Sequence, residues 1–169
     1  MKKRNVLMTL AMLLITLAAR AGEGDTYLSL NAGVLHPKVF TINAAYQKEI
    51  SYGNAYELYI DYQTQWTTCP DCGEVCSDSF WKDRYSYSAG LAYKKAIHRG
   101  KNTITRVRAG ADLGSYNNRK FAASLEVGIE YALTVRGGVQ VVFSQKNEIM
   151  FFGRPTWKSG LLAGIRVPL

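Results

Sequence analysis

Three cysteines that lie close together are the residues with the clearest chemical potential. Cys69, Cys72 and Cys76 form a C-x-x-C-x-x-x-C pattern, which suits a metal site or a redox pair. Zinc needs a fourth ligand, and neither His36 nor His98 is near the cysteines in sequence. In an exported protein these thiols would be oxidised, so the pattern favours one disulfide, with the third cysteine free, lipid-modified or paired with another chain. No metal or cofactor is expected.

The two histidines are the next candidates for catalysis. We place His36 at the end of the first predicted strand and His98 in a predicted turn. A lipid A-modifying enzyme would need a histidine, a serine and a carboxylate at one level of one face. His36 could reach Ser115 or Ser79, but no motif brings these residues together. The sequence therefore favours a protein that is not an enzyme.

Charged residues recur on one side of segments whose other side is apolar. They are Glu57, Asp61, Lys94, Arg106, Arg108, Asp112, Glu126, Glu130 and Arg166. Their opposite signs nearly cancel, which indicates an ion-pair network that fills a narrow interior. A gated path for protons or ions is the alternative, and it is disfavoured because such an interior leaves little room for water.

The N-terminus carries the pattern of a secretion signal. Basic residues precede an apolar run over 6–18, and Ala19-Arg20-Ala21 provides the small-x-small motif that signal peptidase needs. The run is shorter than the roughly 18 to 20 residues of a spanning helix. We therefore predict that residues 1–21 are a signal peptide and that residues 22–169 form the mature domain.

Loss of this leader changes the charge balance of the protein. Residues 1–21 contain four basic residues and no acidic one, so the formal net charge falls from +8 to +4. This excess is too small to indicate nucleic-acid binding. Cations near predicted hairpin ends would meet anionic lipid headgroups instead. These cations are Lys38, Arg84, Arg119, Lys120, Lys146 and Arg154.

Apolar residues after the leader recur at every second position, which predicts β-strands rather than helices. In one segment Leu125, Val127 and Ile129 share a face while Glu126 and Glu130 share the other. The eight predicted strands are 27–35, 40–50, 55–67, 85–96, 103–113, 121–133, 139–151 and 159–169. Each is about ten residues long, as a tilted strand needs to be in order to cross a bilayer.

Three features favour a membrane barrel over a soluble, lipocalin-like barrel. Glycines lie on the charged faces of the strands, where a narrow lumen would crowd larger side chains. Aromatic residues bracket the apolar faces, as in Tyr56 and Trp66. Tight turns (51–54, 97–101 and 134–138) alternate with a long connection over 68–84 and an extended hairpin over 147–158, as expected for periplasmic and outer sides. We predict an all-β, eight-stranded antiparallel up-and-down transmembrane β-barrel in the outer membrane of a Gram-negative bacterium.

Two segments carry a resemblance to a known family. The run LEVGIEYALTVR, from Leu125 to Arg136, and the closing Gly164-Ile165-Arg166-Val167 resemble the C-terminal half of conjugative-transposon TraO proteins. The signal peptide and the all-β body are similar as well. The resemblance implies a non-enzymatic membrane component of a conjugal DNA-transfer apparatus, to which no catalytic residues carry over.

Aromatic residues in the predicted outer connections are candidates for partner contacts. They are Phe80, Trp81, Phe151, Phe152 and Trp157. They would either contact other conjugation-apparatus proteins or pack over the mouth of the barrel. The expected partners are outer-membrane lipid and such proteins, not nucleic acid. The alternative functions are a general surface barrel for envelope integrity or adhesion and, less favoured, a lipid A-modifying enzyme.

Overall fold

The computed structural model forms one closed antiparallel barrel of eight strands. It describes residues 26–66, 85–116, 120–151 and 156–169, without the side chains of Lys120 and Thr156. The strands are β1 (Thr26–His36), β2 (Val39–Glu49), β3 (Ala55–Gln65), β4 (Tyr85–Arg99), β5 (Thr103–Tyr116), β6 (Lys120–Thr134), β7 (Gln140–Phe151) and β8 (Thr156–Pro168). Each strand pairs with the next, and β8 pairs with β1. The predicted fold class is confirmed.

The two ends of the barrel differ in their connections. One end, here the turn end, carries Thr26, Leu169 and the short connections β2–β3, β4–β5 and β6–β7. Two of these are single turns at Ser51–Gly53 and Arg136–Gly138, where Gly53 has φ 78° and Gly137 has φ 72°. Glycine adopts this left-handed backbone without strain, which explains why the turns form there. The opposite end, the loop end, carries the β1–β2 turn and the other connections.

Side chains alternate between the outside and the inside of the barrel along every strand. In β6, Leu125 and Val127 are each 54% exposed, whereas Glu126 between them is 1% exposed. Leu91 and Leu161 are even more exposed, at 67% and 70%. Exposure of such a continuous apolar surface to water is unfavourable. The same surface is favourable in contact with the hydrocarbon core of a bilayer. The described residues contain no helix with the length and hydropathy needed to cross a membrane.

Aromatic rings lie toward both ends of this apolar exterior. Tyr56 and Tyr93 pair across β3 and β4 toward the turn end, with ring centroids 5.4 Å apart. Tyr62 and Tyr85 are stacked toward the loop end at 6.4 Å. Tyrosine prefers the interface between hydrocarbon and headgroups, so the two pairs mark the expected levels of the bilayer surfaces.

Residues 147–151 and 156–158 pair as the extended hairpin that the sequence predicts. Strand β7 continues to Phe151 and β8 begins at Thr156, so Asn147 pairs with Ser159 and Glu148 with Lys158. On the outer face the polar pair Asn147 and Ser159 is followed by the apolar residues Ile149 and Trp157. The polar pair interrupts the two-residue period, so the sequence predicts the start of β8 at residue 159 rather than at Thr156.

The predicted turn over 97–101 is shorter than expected. Strand β4 continues to Arg99, and its register against β5 shifts between Ala96 and His98. His98 therefore lies in the strand rather than in the turn. A β-bulge inserts one residue into a ladder, so the alternation changes phase at Ile97 and the sequence pattern ends early.

Glycines on the inner face make room for larger neighbours. A Cβ atom added to Gly90 would lie 2.5 Å from the ring of Tyr59 and 2.6 Å from the carbonyl oxygen of Ala111. Gly164 is equally confined, because its Cβ would lie 2.2 Å from Oδ1 of Asn31. Small residues at these positions allow the bulky polar side chains to cross the lumen.

The confinement of Gly90 generates a stability prediction. Gly90→Val is expected to lower the free energy of unfolding by about 1–3 kcal/mol, since the new methyl groups overlap Tyr59. Ala89→Val is the matched control, because Ala89 faces outward. This substitution is expected to change the free energy of unfolding by less than about 0.5 kcal/mol. Urea unfolding of the barrel in lipid vesicles measures both values. Equal effects of the two substitutions would contradict the inward orientation of Gly90.

Candidate functional site

Charged side chains from most of the strands meet inside the barrel. The structure places all nine residues of the predicted polar network there, and all except Arg108 are buried. They are Glu57, Asp61, Lys94, Arg106, Arg108, Asp112, Glu126, Glu130 and Arg166. Only the long side chain of Arg108 retains some exposure, at 12%. Burial of this many charges is tolerable only if they pair with one another.

Glu130 is the centre of the network toward the turn end. Its carboxylate accepts hydrogen bonds from Nζ of Lys94 at 2.5 Å and from Nη2 of Arg166 at 2.6 Å. Nη1 of Arg106 is the third donor, at 3.2 Å. Arg106 also pairs with Glu49. One carboxylate therefore neutralises parts of three cations that come from β4, β5 and β8.

The network continues across the middle of the lumen through two carboxylates. Lys94 forms a second ion pair, with Glu57. Arg108 contacts the same carboxylate at 2.9 Å and forms a further ion pair with Glu126. Its guanidinium also lies 4.5 Å from the ring centroid of Tyr59, a cation–π contact. Arg108 thus joins the Glu57 and Glu126 sides of the interior.

Lys146 carries the network toward the loop end. Its ammonium pairs with Asp61, with Glu126 at 2.9 Å and with Glu148 at 3.3 Å. Glu148 in turn contacts Nζ of Lys158 at 3.0 Å. The ion pairs therefore form one continuous chain of alternating charge along the length of the lumen.

Neutral polar side chains saturate much of the remaining hydrogen-bonding capacity. Nδ2 of Asn43 donates to Asp61 at 2.7 Å, and Nδ2 of Asn31 donates to Asn43 at 3.1 Å. The hydroxyl of Tyr59 donates to Asp112 at 3.2 Å. Gln63 donates to Glu148 at 2.7 Å. These bonds fix the carboxylates in place, because each acceptor is held from more than one strand.

Small apolar clusters lie at both ends of the charged network. Leu35, Val39 and Leu162 form one cluster toward the loop end. Ile104, Ala132 and Val142 form another toward the turn end. A cavity of about 20 Å³ remains beside Asn31, Glu57, Lys94 and other residues of the network. This volume holds about one water molecule, so a hydrated ion does not fit.

A cluster of carboxylates within the interior resembles a metal-binding set but is already occupied by cationic side chains. Asp61, Asp112 and Glu126 each offer an oxygen, and these atoms lie within 4.8 Å of one another. Lys146 pairs with two of them, and Arg108 pairs with Glu126. Asp61 and Glu126 are thus ion-paired, and Asp112 accepts a hydrogen bond from Tyr59, so the three carboxylates belong to the interior polar network.

Several members of this network were missed from the sequence. Glu49, Glu148 and Lys158 were not predicted to face the lumen, and Lys146 was expected to meet lipid headgroups at a hairpin end. The structure buries Lys146, Glu148 and Lys158 inside the barrel. The available signal was the alternation along the predicted strand 139–151, which puts Gln140, Val142, Ser144, Lys146 and Glu148 on one face.

The predicted partner-contact residues are only partly described. Phe151 ends β7 and Trp157 lies in β8, and both are exposed at the loop end. They therefore belong to strands rather than to a loop. Phe80, Trp81 and Phe152 lie outside the described residues, as do Cys69, Cys72, Cys76 and the predicted signal peptide.

Within the described residues, which do not include Ser79, the structure does not bring His36 to Ser115, as the disfavoured lipid A-modifying enzyme would require. Strand β5, which carries Ser115, is on the far side of the barrel from β1. His36 instead pairs in register with Ser159. The Ser159 hydroxyl donates to Oδ1 of Asn147 at 2.7 Å. An amide oxygen cannot accept the hydroxyl proton as a general base, so this contact does not activate Ser159 as a nucleophile.

The fold is similar to those of solved membrane barrels. Neisserial surface protein A is 13% identical with a TM-score of 0.67, and the match covers 88% of this chain and 99% of that protein. A major outer membrane protein from Thermus thermophilus is 12% identical with a TM-score of 0.53, covering 88% and 100% of the two chains. A de novo designed transmembrane β-barrel is 9% identical with a TM-score of 0.52, and the match covers 88% of this chain and 99% of the designed one. No family model and no curated protein matches the sequence.

These likenesses concern the fold. The shared fold is the eight-stranded outer-membrane type of barrel, which agrees with the apolar exterior described above. At such low identity the functional residues do not transfer.

The position of Glu130 generates a second stability prediction. Glu130→Gln leaves Lys94, Arg106 and Arg166 without their shared counter-charge, so it is expected to cost about 3–5 kcal/mol of unfolding free energy. Glu49→Gln is the control. It removes a carboxylate that is 19% exposed and paired with one cation, so its cost is expected to be smaller. Urea unfolding measures the loss of free energy in both variants. A loss in Glu49→Gln that equals or exceeds the loss in Glu130→Gln would contradict the central position of Glu130.

Proposed function

We propose that this protein is a sealed outer-membrane barrel that anchors and presents its loop end, rather than a channel or an enzyme. The observation that carries this proposal is the continuous ion-pair network that fills the lumen. A transport path needs a water-filled route or a gate. In the described part of the lumen the cations and carboxylates pair with one another, and the cavity beside Glu57 and Lys94 has room for about one water molecule.

The outer membrane of a Gram-negative bacterium is the proposed location. Its support is the apolar exterior, the tyrosine pairs near both ends, the secretion signal in the sequence and the fold shared with outer-membrane barrels. Short turns face the periplasm in such barrels. The turn end would therefore face the periplasm, and the loop end, with Phe151 and Trp157, would face outward.

Within this class we assign the protein to a conjugal DNA-transfer apparatus. The support is the resemblance of residues 125–136 and 164–167 to conjugative-transposon TraO proteins. The exposed rings of Phe151 and Trp157 offer an apolar surface at the loop end, of the kind through which an anchored barrel contacts other proteins of a mating apparatus.

A sealed lumen is expected to conduct no ions. Purified protein in planar lipid bilayers should give no current steps, because the ion pairs leave no hydrated path. An open porin added to the same bilayers is the positive control for insertion and detection. Discrete conductance steps from the folded wild-type barrel would contradict the sealed interior.

The role in conjugation is tested by mating frequency. Deletion of the coding region from the mobile element is expected to reduce transfer, and the wild-type gene is expected to restore it. A Phe151→Ser, Trp157→Ser double variant should fold but restore about tenfold less transfer, since aromatic contacts dominate protein interfaces. Tyr52→Ser is the control, because Tyr52 is 89% exposed at the turn end.

The possible outcomes separate the two parts of the proposal. Unchanged transfer after deletion would remove the role in conjugation and would leave the sealed barrel intact. Equal loss of transfer with Tyr52→Ser would contradict a contact surface at the loop end.

A further inference from the structure

The described exterior charges are concentrated at the turn end and have one sign. Five residues form this group, which we name the basic collar: Lys48, Lys95, Arg99, Lys101 and Arg136. All are exposed, and none forms an ion pair within the described part of the chain. The nearby acid Glu49 is paired with Arg106 of the interior network, so it does not neutralise the collar.

Two lysines of the basic collar flank the outward pair of tyrosines. Lys48 lies directly opposite Tyr56 in the β2–β3 register. Lys95 follows Tyr93 by two residues on the same outward face of β4, and the rings of Tyr56 and Tyr93 are 5.4 Å apart. Tyrosine rings lie at the depth of the headgroups, and lysine side chains extend along apolar surface to bring their ammonium groups to the phosphates. We therefore expect both ammonium groups to lie at the depth of the phosphates.

The β4–β5 hairpin adds an apolar contact beside further cations. The bulge between Ala96 and His98 leaves Ile97 without a partner in the ladder, and its side chain is 57% exposed. Arg99 and Lys101 follow at the tip of the same hairpin. An exposed isoleucine below exposed cations matches a lipid, whose acyl chains lie below an anionic headgroup.

We propose that the basic collar, together with Tyr56 and Tyr93, binds anionic phospholipids in the membrane leaflet at the turn end. The charges are complementary, and the aromatic and aliphatic groups contact the same molecule at the glycerol and acyl levels. The site depends on insertion of the barrel in a membrane, but not on a role in conjugation. It is separate from the interior network, because its side chains face outward.

Lipid binding is tested by native mass spectrometry of the full folded barrel. The probes are phosphatidylglycerol and phosphatidylcholine with identical acyl chains, added at equal concentrations to the protein in detergent. The wild-type protein is expected to retain phosphatidylglycerol in clear preference. Each cation near an anionic lipid surface contributes about fivefold at low salt, so Lys95→Gln should lower the preference several-fold and Lys38→Gln, at the loop end, should not.

Two multiple variants separate charge from structure. The neutral variant K48Q/K95Q/R99Q/K101Q is expected to lose the preference for phosphatidylglycerol by about tenfold or more. The charge-retaining variant K48R/K95R/R99K/K101R is expected to keep it. Circular dichroism and the shift in gel mobility on heating verify that each variant is folded.

The proposal is overturned by either of two results. One is equal retention of the two lipids by the wild-type protein, and the other is an undiminished preference in the folded neutral variant. The comparison of the two lipids on the wild-type protein remains decisive even if a variant folds poorly.

Discussion

The structure depends on the closure of a sheet around a lumen that is too narrow for bulk water. Every strand must direct alternate side chains into that space, and a membrane on the outside means that these inward positions hold the polar residues. A buried carboxylate or ammonium is expensive unless a counter-charge is within reach. Closure therefore turns an ordinary two-residue period into a requirement that charges from distant parts of the chain pair with one another.

Pairing across the lumen explains why the network also specifies the fold. Glu130 on β6 holds cations from β4, β5 and β8, and Lys146 on β7 holds carboxylates from β3 and β6 as well as its own strand. A strand shifted by one residue would send its charges into lipid and leave their partners unpaired. Backbone hydrogen bonds between strands close the barrel. The ion pairs make the observed strand register more stable than registers shifted by one residue.

Sequence reasoning succeeded where a strand has one apolar and one polar face, and failed where this contrast is absent. In β6 the alternation of Leu125, Glu126 and Val127 is enough to predict both faces. In the β7–β8 hairpin the outward pair Asn147 and Ser159 is as polar as the inward pair Glu148 and Lys158, so polarity does not distinguish the two sides at these positions. Nor could the pairs themselves be predicted, because Lys146 and Asp61 meet across the lumen from strands that are not adjacent.

The same constraint governs how charge is distributed between the inside and the outside. Interior cations need interior acids, so the lumen stays close to neutral whatever the chain's total charge. The basic excess of the sequence must then lie on the exterior, and the apolar belt excludes it from the middle of the barrel. Only the two ends remain, and the described exterior cations at the turn end are Lys48, Lys95, Arg99, Lys101 and Arg136. Neutrality within the lumen and basicity at the rim thus follow from one requirement, that no charge face hydrocarbon without a partner.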